Sequence, residues 1–222
     1  MRSRFDEQLA LLNRELIEMG ALCEEVIALS AQSLTEGSTE LAARVAPLDE
    51  EIDRKEREIE SLCLKLLLQQ QPVAKDLRQI SAALKMITDM ERIGDQTSDI
   101  AEIIISAKYE NVAQDIDLIG AMATGVSTMV RDSVVAYVEK DLELARKVMA
   151  SDDKIDAYFD EIRDKMIAYI KAEHGEQGNR IFDLIMVTKY LERIGDHATN
   201  IAEWVEFSIT GVHKDSAALH ES

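Results

Sequence analysis

Five acids and one amide, set four residues apart in two stretches, carry the chemistry this chain is equipped to do. Glu91, Asp95 and Asp99 form one run, and Glu192, Asp196 and Asn200 repeat it 101 residues later. On an α-helix, steps of four place side chains on one slowly drifting face. Glu91 falls on the stripe of Ile80, Leu84 and Ile87, where the pattern calls for an apolar residue. A carboxylate facing a core is costly, and neighbouring carboxylates repel, so such groups must be paired, protonated or bound to metal. Asn200 still offers a carbonyl oxygen. An all-oxygen donor set suits hard cations such as magnesium, manganese, calcium or oxidised iron.

A second set of acids precedes each run. Asp49 and Asp53, joined by Glu56, share a helix face just after Pro47, and Asp152 and Asp156, followed by Asp160, occupy the matching place in the other half. Between the acids of each later run lies a glycine, Gly94 or Gly195. Glycine inside a helix costs about 1 kcal/mol relative to alanine. Its expected return is close approach of the neighbouring helix, which brings the two acid sets into range. The competing reading is a solvated acidic face, satisfied by Arg54, Arg57, Arg92 and Arg193 through exposed pairs of little worth. A ferritin-like di-iron centre needs Glu-x-x-His on facing helices, and the chain has no such motif. His197 follows Asp196 directly, so it points about 100° away and reads as a helix-surface residue.

The elements that position these residues follow from the spacing. The segment Glu91-Arg92-Ile93-Gly94-Asp95 recurs as Glu192-Arg193-Ile194-Gly195-Asp196, and eight of the twelve positions from 91 to 102 match their counterparts. A repeat of that length means two copies of one structural unit. Phe5, Leu9, Leu12, Leu16, Met19, Cys23, Val26 and Ser30 alternate steps of four and three, the seam of a bundle helix. Gly37 reads as a C-cap and Ser38 or Thr39 as the next N-cap. The second helix is expected to break at Pro47 and to restart toward Gln70. After a turn at Gln71-Pro72, a third helix carries Leu77, Ile80, Leu84, Ile87 and Glu91 on one line to about residue 109. The second half repeats the plan with helices over about 115–139, 141–173 and 179–209. The prediction is an all-α chain of two tandem three-helix bundles related by an internal pseudo-twofold, over residues 1–111 and 112–210, with a flexible tail over 211–222.

Composition narrows the function. Nine glycines, two prolines and 5% aromatic residues in 222 favour long helices over sheets. Forty-three acids against 25 Lys plus Arg give a formal net charge of −18. Such a surface repels phosphate backbones, which argues against direct nucleic-acid binding, and it attracts cations or a basic partner. No stretch reaches the roughly 18 apolar residues of a membrane span, and no signal-peptide core follows the basic start. Cys23 and Cys63 sit at apolar helical positions and read as reduced core thiols in a cytosolic protein. Neither a nucleotide-binding glycine loop nor a nucleophile with a paired base is visible. Two alternatives stay open: a metal-dependent hydrolase using the clustered carboxylates, and a purely structural bundle whose acids bind nothing.

At these residues the chain resembles the PhoU family of phosphate-uptake regulators. The resemblance is carried by Gln71-Pro72-Val73-Ala74-Lys75-Asp76-Leu77-Arg78, by Leu84 through Asp95, and by Tyr190 through Asp196. It implies two repeated three-helix bundles, each with a pair of acidic motifs able to hold an iron or zinc cluster. Carried over, the first metal site would use Asp49, Asp53, Glu91, Asp95 and Asp99, and the second Asp152, Asp156, Glu192, Asp196 and Asn200. Asn200 departs from its acidic counterpart. The resemblance further implies a cytoplasmic negative regulator of phosphate uptake and of the phosphate-starvation response. Such a protein would link the phosphate importer's ATPase subunit to a sensor histidine kinase, and would form a homodimer.

Overall fold

The computed structural model describes residues 2–70, 73–107, 116–172 and 178–212. The expected turn at Gln71-Pro72, the expected end of the third helix near residue 109 and the tail beyond Val212 lie outside the described residues. Six long helices and one single-turn helix make up the rest: α1 (Arg2–Glu36), α2 (Thr39–Ala42), α3 (Val45–Gln70), α4 (Ala74–Ala107), α5 (Ile116–Glu139), α6 (Leu142–Ala172) and α7 (Gly178–Thr210). No strand occurs among the described residues.

The helix ends have local causes. Gly37 takes a left-handed φ of 62° past the end of α1, and Ser38 N–H reaches back to Ser33 C=O at 2.9 Å. The Ser38 hydroxyl then accepts from Leu41 N–H at 3.2 Å and caps α2. The break comes at Ala43-Arg44, ahead of Pro47 rather than at it. Pro47 is the third residue of α3, where a backbone N–H would have no intrahelical acceptor, so the ring costs no hydrogen bond there. In the second half Asp141 accepts from Leu144 N–H at 2.9 Å and caps α6.

Helices α1, α3 and α4 pack as one bundle and α5, α6 and α7 as the other. The halves are not separate bodies. Helix α4 lies along α7 and α1 along α5, and a single apolar core runs through all six. Gly20 on α1 lets Val134 of α5 approach closely enough that a Cβ would sit 3.2 Å from it. The buried Tyr137 of α5 donates its hydroxyl proton to Gln79 C=O on α4 at 2.9 Å. Ile52, Ile59 and Leu66 of α3 and Ile80 and Ile87 of the predicted α4 line are buried, whereas Leu84 of that line is half-buried and Leu77 exposed; Met86 and Ile93, off the line, are fully buried as well. Cys23 and Cys63 are buried free thiols. Burial pushes both thiols up, Cys63 to about 12, which removes them as nucleophiles near neutral pH.

Candidate metal centres and the seam between the halves

In the first half Asp49 of α3 reaches across to α4. One carboxylate oxygen accepts from the Ser98 hydroxyl at 2.7 Å. The other, Oδ1, is buried without a hydrogen-bond partner, and it lies directly over Gly94, where a Cβ would collide with it. The return expected from Gly94 is therefore room for the Asp49 carboxylate itself. Glu91 Oε2 is likewise buried and unbonded. Arg92 Nε stands 3.4 Å from it, near enough for attraction but not aligned as a hydrogen bond. Burial, opposed by the Ser98 hydrogen bond and reinforced by the charges of Asp95, Asp53 and Asp99, raises the Asp49 carboxyl. Burial and then the charge of Asp95 raise Glu91. Glu56, one turn on from Asp53, is raised by burial and by the charge of Glu60.

The outer acids turn to bases. Asp95 accepts from Arg92 at 2.9 Å, and Asp53 stands 3.9 Å from Arg57. In the second half Lys189 pairs with Glu192 at 2.5 Å. Asp152 lies over Gly195 as Asp49 lies over Gly94, but a Cβ there would stand 3.5 Å from its oxygen and 3.2 Å from Ile155. The Thr199 hydroxyl sits beside Asp152, in the place Ser98 takes, without completing a hydrogen bond. Burial and the charge of Asp156 raise Asp152. Burial, then Glu192 and Asp156, raise Asp196, although its outer side is open to solvent. Asp156 is exposed.

As the side chains stand, no three His, Cys, Asp or Glu among the described residues are grouped so as to hold a metal ion. The donor chemistry nevertheless fits a hard cation, because buried carboxylate oxygens are left unbonded where two helices meet. Asp49, Asp53, Glu91 and Asp95 are electrostatic neighbours across α3 and α4, without converging on one point. Asp152, Asp156, Glu192 and Asp196 take the corresponding places across α6 and α7.

The last member of each run belongs also to a different feature. The Tyr190 hydroxyl stands beside Asp99 and acts to lower its carboxyl. Burial comes first, and the charges of Glu102 and Asp95 next, in raising Asp99. Asn200 donates its amide to Asp89 at 3.2 Å, and His197 Nδ1 stands 2.9 Å from the same Asp89 oxygen. Under the 101-residue repeat Asp89 matches Tyr190 and Asp99 matches Asn200. The two contacts are thus one contact seen twice, across a pseudo-twofold that sets α4 antiparallel to α7. His197 is not a bare surface residue but a half-buried partner in this seam. Sequence reasoning missed Asp89, Tyr190, Ser98 and Thr199. Their signal was the repeat, which pairs Asp89 with Tyr190 and Ser98 with Thr199.

Comparison with known proteins agrees with the duplicated two-bundle architecture. The PhoU domain model matches twice, over residues 16–104 and 119–205. A relative from Clostridium acetobutylicum, named phosphate-specific transport system accessory protein PhoU homolog, is 35% identical over 215 residues, spanning 96% of this chain and 98% of its own. One of the same name from Synechocystis is 36% identical over 210 residues, 95% and 93% of the two chains. The crystal structure of PhoU from Pseudomonas aeruginosa superposes with a TM-score of 0.88 at 30% identity, covering 94% of this chain and 100% of that one. The phosphate transport system regulatory protein PhoU from Streptococcus pneumoniae gives 0.86 at 25% identity, covering 94% and 98%.

Proposed function

This chain belongs to the PhoU family, and from that membership we propose that it is an accessory regulator of phosphate transport that works as a metal-binding adaptor. The observation that carries the reading is the pair of domain matches, one on each bundle. Relatives of nearly the same length are named as accessory proteins of a transport system, not as enzymes. The adaptor is cytoplasmic. It holds the phosphate importer's ATPase subunit on one side and a phosphate-sensing histidine kinase on the other, and it represses the starvation response when phosphate is plentiful. No described helix is long and apolar enough to cross a membrane. The proposed attachment to the importer is by docking. A net charge of −18 gives docking an electrostatic share, and partner affinity falls as salt rises. Deleting the gene should leave the starvation response on in abundant phosphate. Normal regulation in the deletion strain, or failure of the purified chain to bind either partner at low salt, rejects the adaptor. The chain works as a homodimer, and light scattering that gives the monomer mass at every concentration rejects that part.

Metal binding rests on the buried, unbonded oxygens of Asp49 and Glu91 and on the raised carboxyls around them. Asp49, Asp53, Glu91, Asp95 and Asp99 hold metal in the first half. Asp152, Asp156, Glu192, Asp196 and Asn200 do so in the second, where Asn200 gives up its seam contact or shares it. Family resemblance favours iron or zinc, and the all-oxygen donor set also admits magnesium or manganese. When bound, the metal neutralises clustered charge and ties the acidic helix of each pair to its neighbour. A chelator should then lower the melting temperature by mass action. Asp95→Ala or Asp196→Ala should blunt that shift. If neither chelator nor added metal moves melting, the carboxylates are an acidic face and nothing more.

A further inference from the structure

The repeat carries the two acid runs closely, but it changes two residues together. Where the first run ends in Asp99 the second ends in Asn200, and where the first half has Asp89 the second has Tyr190. The structure sets these four against one another across the seam of α4 and α7. Asn200 donates its amide to Asp89 Oδ1 at 3.2 Å, and the Tyr190 hydroxyl stands beside Asp99. A donor therefore faces an acceptor in both places, although each residue differs from its repeat counterpart. An exact copy of the first half would have set carboxylate against carboxylate at both, which repel.

What the contact does to Asn200 follows from its chemistry. A side-chain amide has a donor on one arm and an acceptor on the other, and a carboxylate only accepts, so the NH₂ arm is the one that faces Asp89. The carbonyl oxygen, the arm a cation can use, is then the atom left over. Without Asp89 the amide is free to turn either arm outward. Asp89 is itself held, its side chain 16% exposed and the same oxygen 2.9 Å from His197 Nδ1. A phenol proton given to one oxygen of Asp99 would likewise fix that group and leave its other oxygen free. The plain explanation is that these are packing contacts that hold α4 along α7. It accounts for the pairing but not for its place: both fall on the last member of an acid run, one turn beyond Asp95 or Asp196.

Resting on the metal reading, we propose that Asp89 and Tyr190 are positioning residues, each orienting the last ligand of the opposite half. Asp89 reserves the Asn200 carbonyl for a cation at the second-half centre, and Tyr190 sets the Asp99 carboxylate for the first. Partners that orient a ligand in this way typically change metal affinity about tenfold to a hundredfold when removed. Each centre is thus completed from across the seam, by a residue two positions before the first ligand of the other.

The test uses the full chain, stripped of metal and titrated with manganese(II), with bound and free ion followed by electron paramagnetic resonance and calorimetry. Asp95→Ala silences the first-half centre, so the binding that is left reports the second, and Asp196→Ala does the reverse. On Asp95→Ala, adding Asp89→Ala should weaken binding about tenfold or more. Asp89→Asn, whose carbonyl still accepts from Asn200, should recover most of that loss. On Asp196→Ala, Asp89→Ala should leave the first-half affinity as it was, while Tyr190→Phe should weaken it about tenfold. A packing role alone would lower both centres together, in step with melting. Parental affinity with Asp89→Ala, or equal losses at the two centres, overturns the proposal and leaves the metal reading standing. No manganese bound by the parent chain rejects both.

Discussion

The two carboxylate centres descend from one repeat, but they are not equally tight. In the first half Asp49 rests on Gly94 with no room for a Cβ and accepts a 2.7 Å hydrogen bond from Ser98. In the second, a Cβ on Gly195 would stand 3.5 Å from Asp152, and Thr199 completes no hydrogen bond. The same motif therefore gives one carboxylate that is clamped and one that is only sheltered. A five-residue identity transmits a helix face; the spacing between helices is set by everything else that packs there, Ile52 in one half and Ile155 with Val126 in the other.

That contrast can be broken most sharply at the glycines. Gly94→Leu drives a side chain into Asp49 and Ile52, and should cost about 1–3 kcal/mol in urea denaturation. It should also abolish any effect of chelator on melting. The alanine pair is more discriminating. A methyl at Gly94 displaces a flexible carboxylate and its Ser98 bond, worth about 1 kcal/mol, while alanine recovers about 1 kcal/mol of helix propensity. Net stability should then change by less than about 1 kcal/mol, but the first-half metal response should vanish. Gly195→Ala should keep its metal response. Equal responses in the two alanine variants would show the tightness to be without consequence.

The pH dependence tests whether the carboxyls carry strain in both halves. Asp49, Glu91, Asp152 and Asp196 are raised in the folded chain, so it binds more protons than the unfolded chain above the ordinary values of 3.8 for Asp and 4.5 for Glu. Stability contributed by protonation is present below those values and is lost as pH rises through the raised ones. Glu18, lowered by Lys55, acts in the opposite sense but is fully exposed and screened. Metal-free protein should accordingly melt higher as pH falls from 7 toward the carboxyl range. Asp49→Asn should flatten that rise, and saturating metal should remove it by taking the protons' place. A melting temperature that falls steadily over the same interval would contradict the assignment.

The smallest effect is expected in the seam. Asp89 is within hydrogen-bond distance of both His197 and Asn200, whereas its repeat partner Tyr190 stands beside Asp99, with the charges of Arg193 and Glu102 nearby. Asp89→Ala should cost about 1–2 kcal/mol and Tyr190→Phe about 0.5–1. A larger loss from the tyrosine would reverse the order of the two contacts.

Much of this was readable from residue order. The 3.6-residue periodicity of α1, the Gly37 and Ser38 caps and the duplicated Glu-Arg-Ile-Gly-Asp segment led directly to six helices in two bundles, because each depends on neighbours within a turn or two. Pro47 misled by a few residues, since the same ring that breaks a helix interior is harmless in a first turn. Which side of each acid run faces its neighbour was also legible, through Glu91 on an apolar stripe and glycine beside it.

Three things depended on the tertiary structure. The core is continuous because α4 lies antiparallel along α7, a register set by contacts such as Asp89 with Asn200 that are 111 residues apart. The amide of Asn200 is turned to that seam, although its spacing alone placed it with the ligands. The cavity lined by Lys75, Gln79, Tyr137 and Ser208 exists only because the start of α4 meets the ends of α5 and α7. Local sequence determines helices and their faces, since those follow from backbone geometry and side-chain period. Which faces meet, and how closely, follows from packing among residues far apart in the chain, and no window of sequence contains that information.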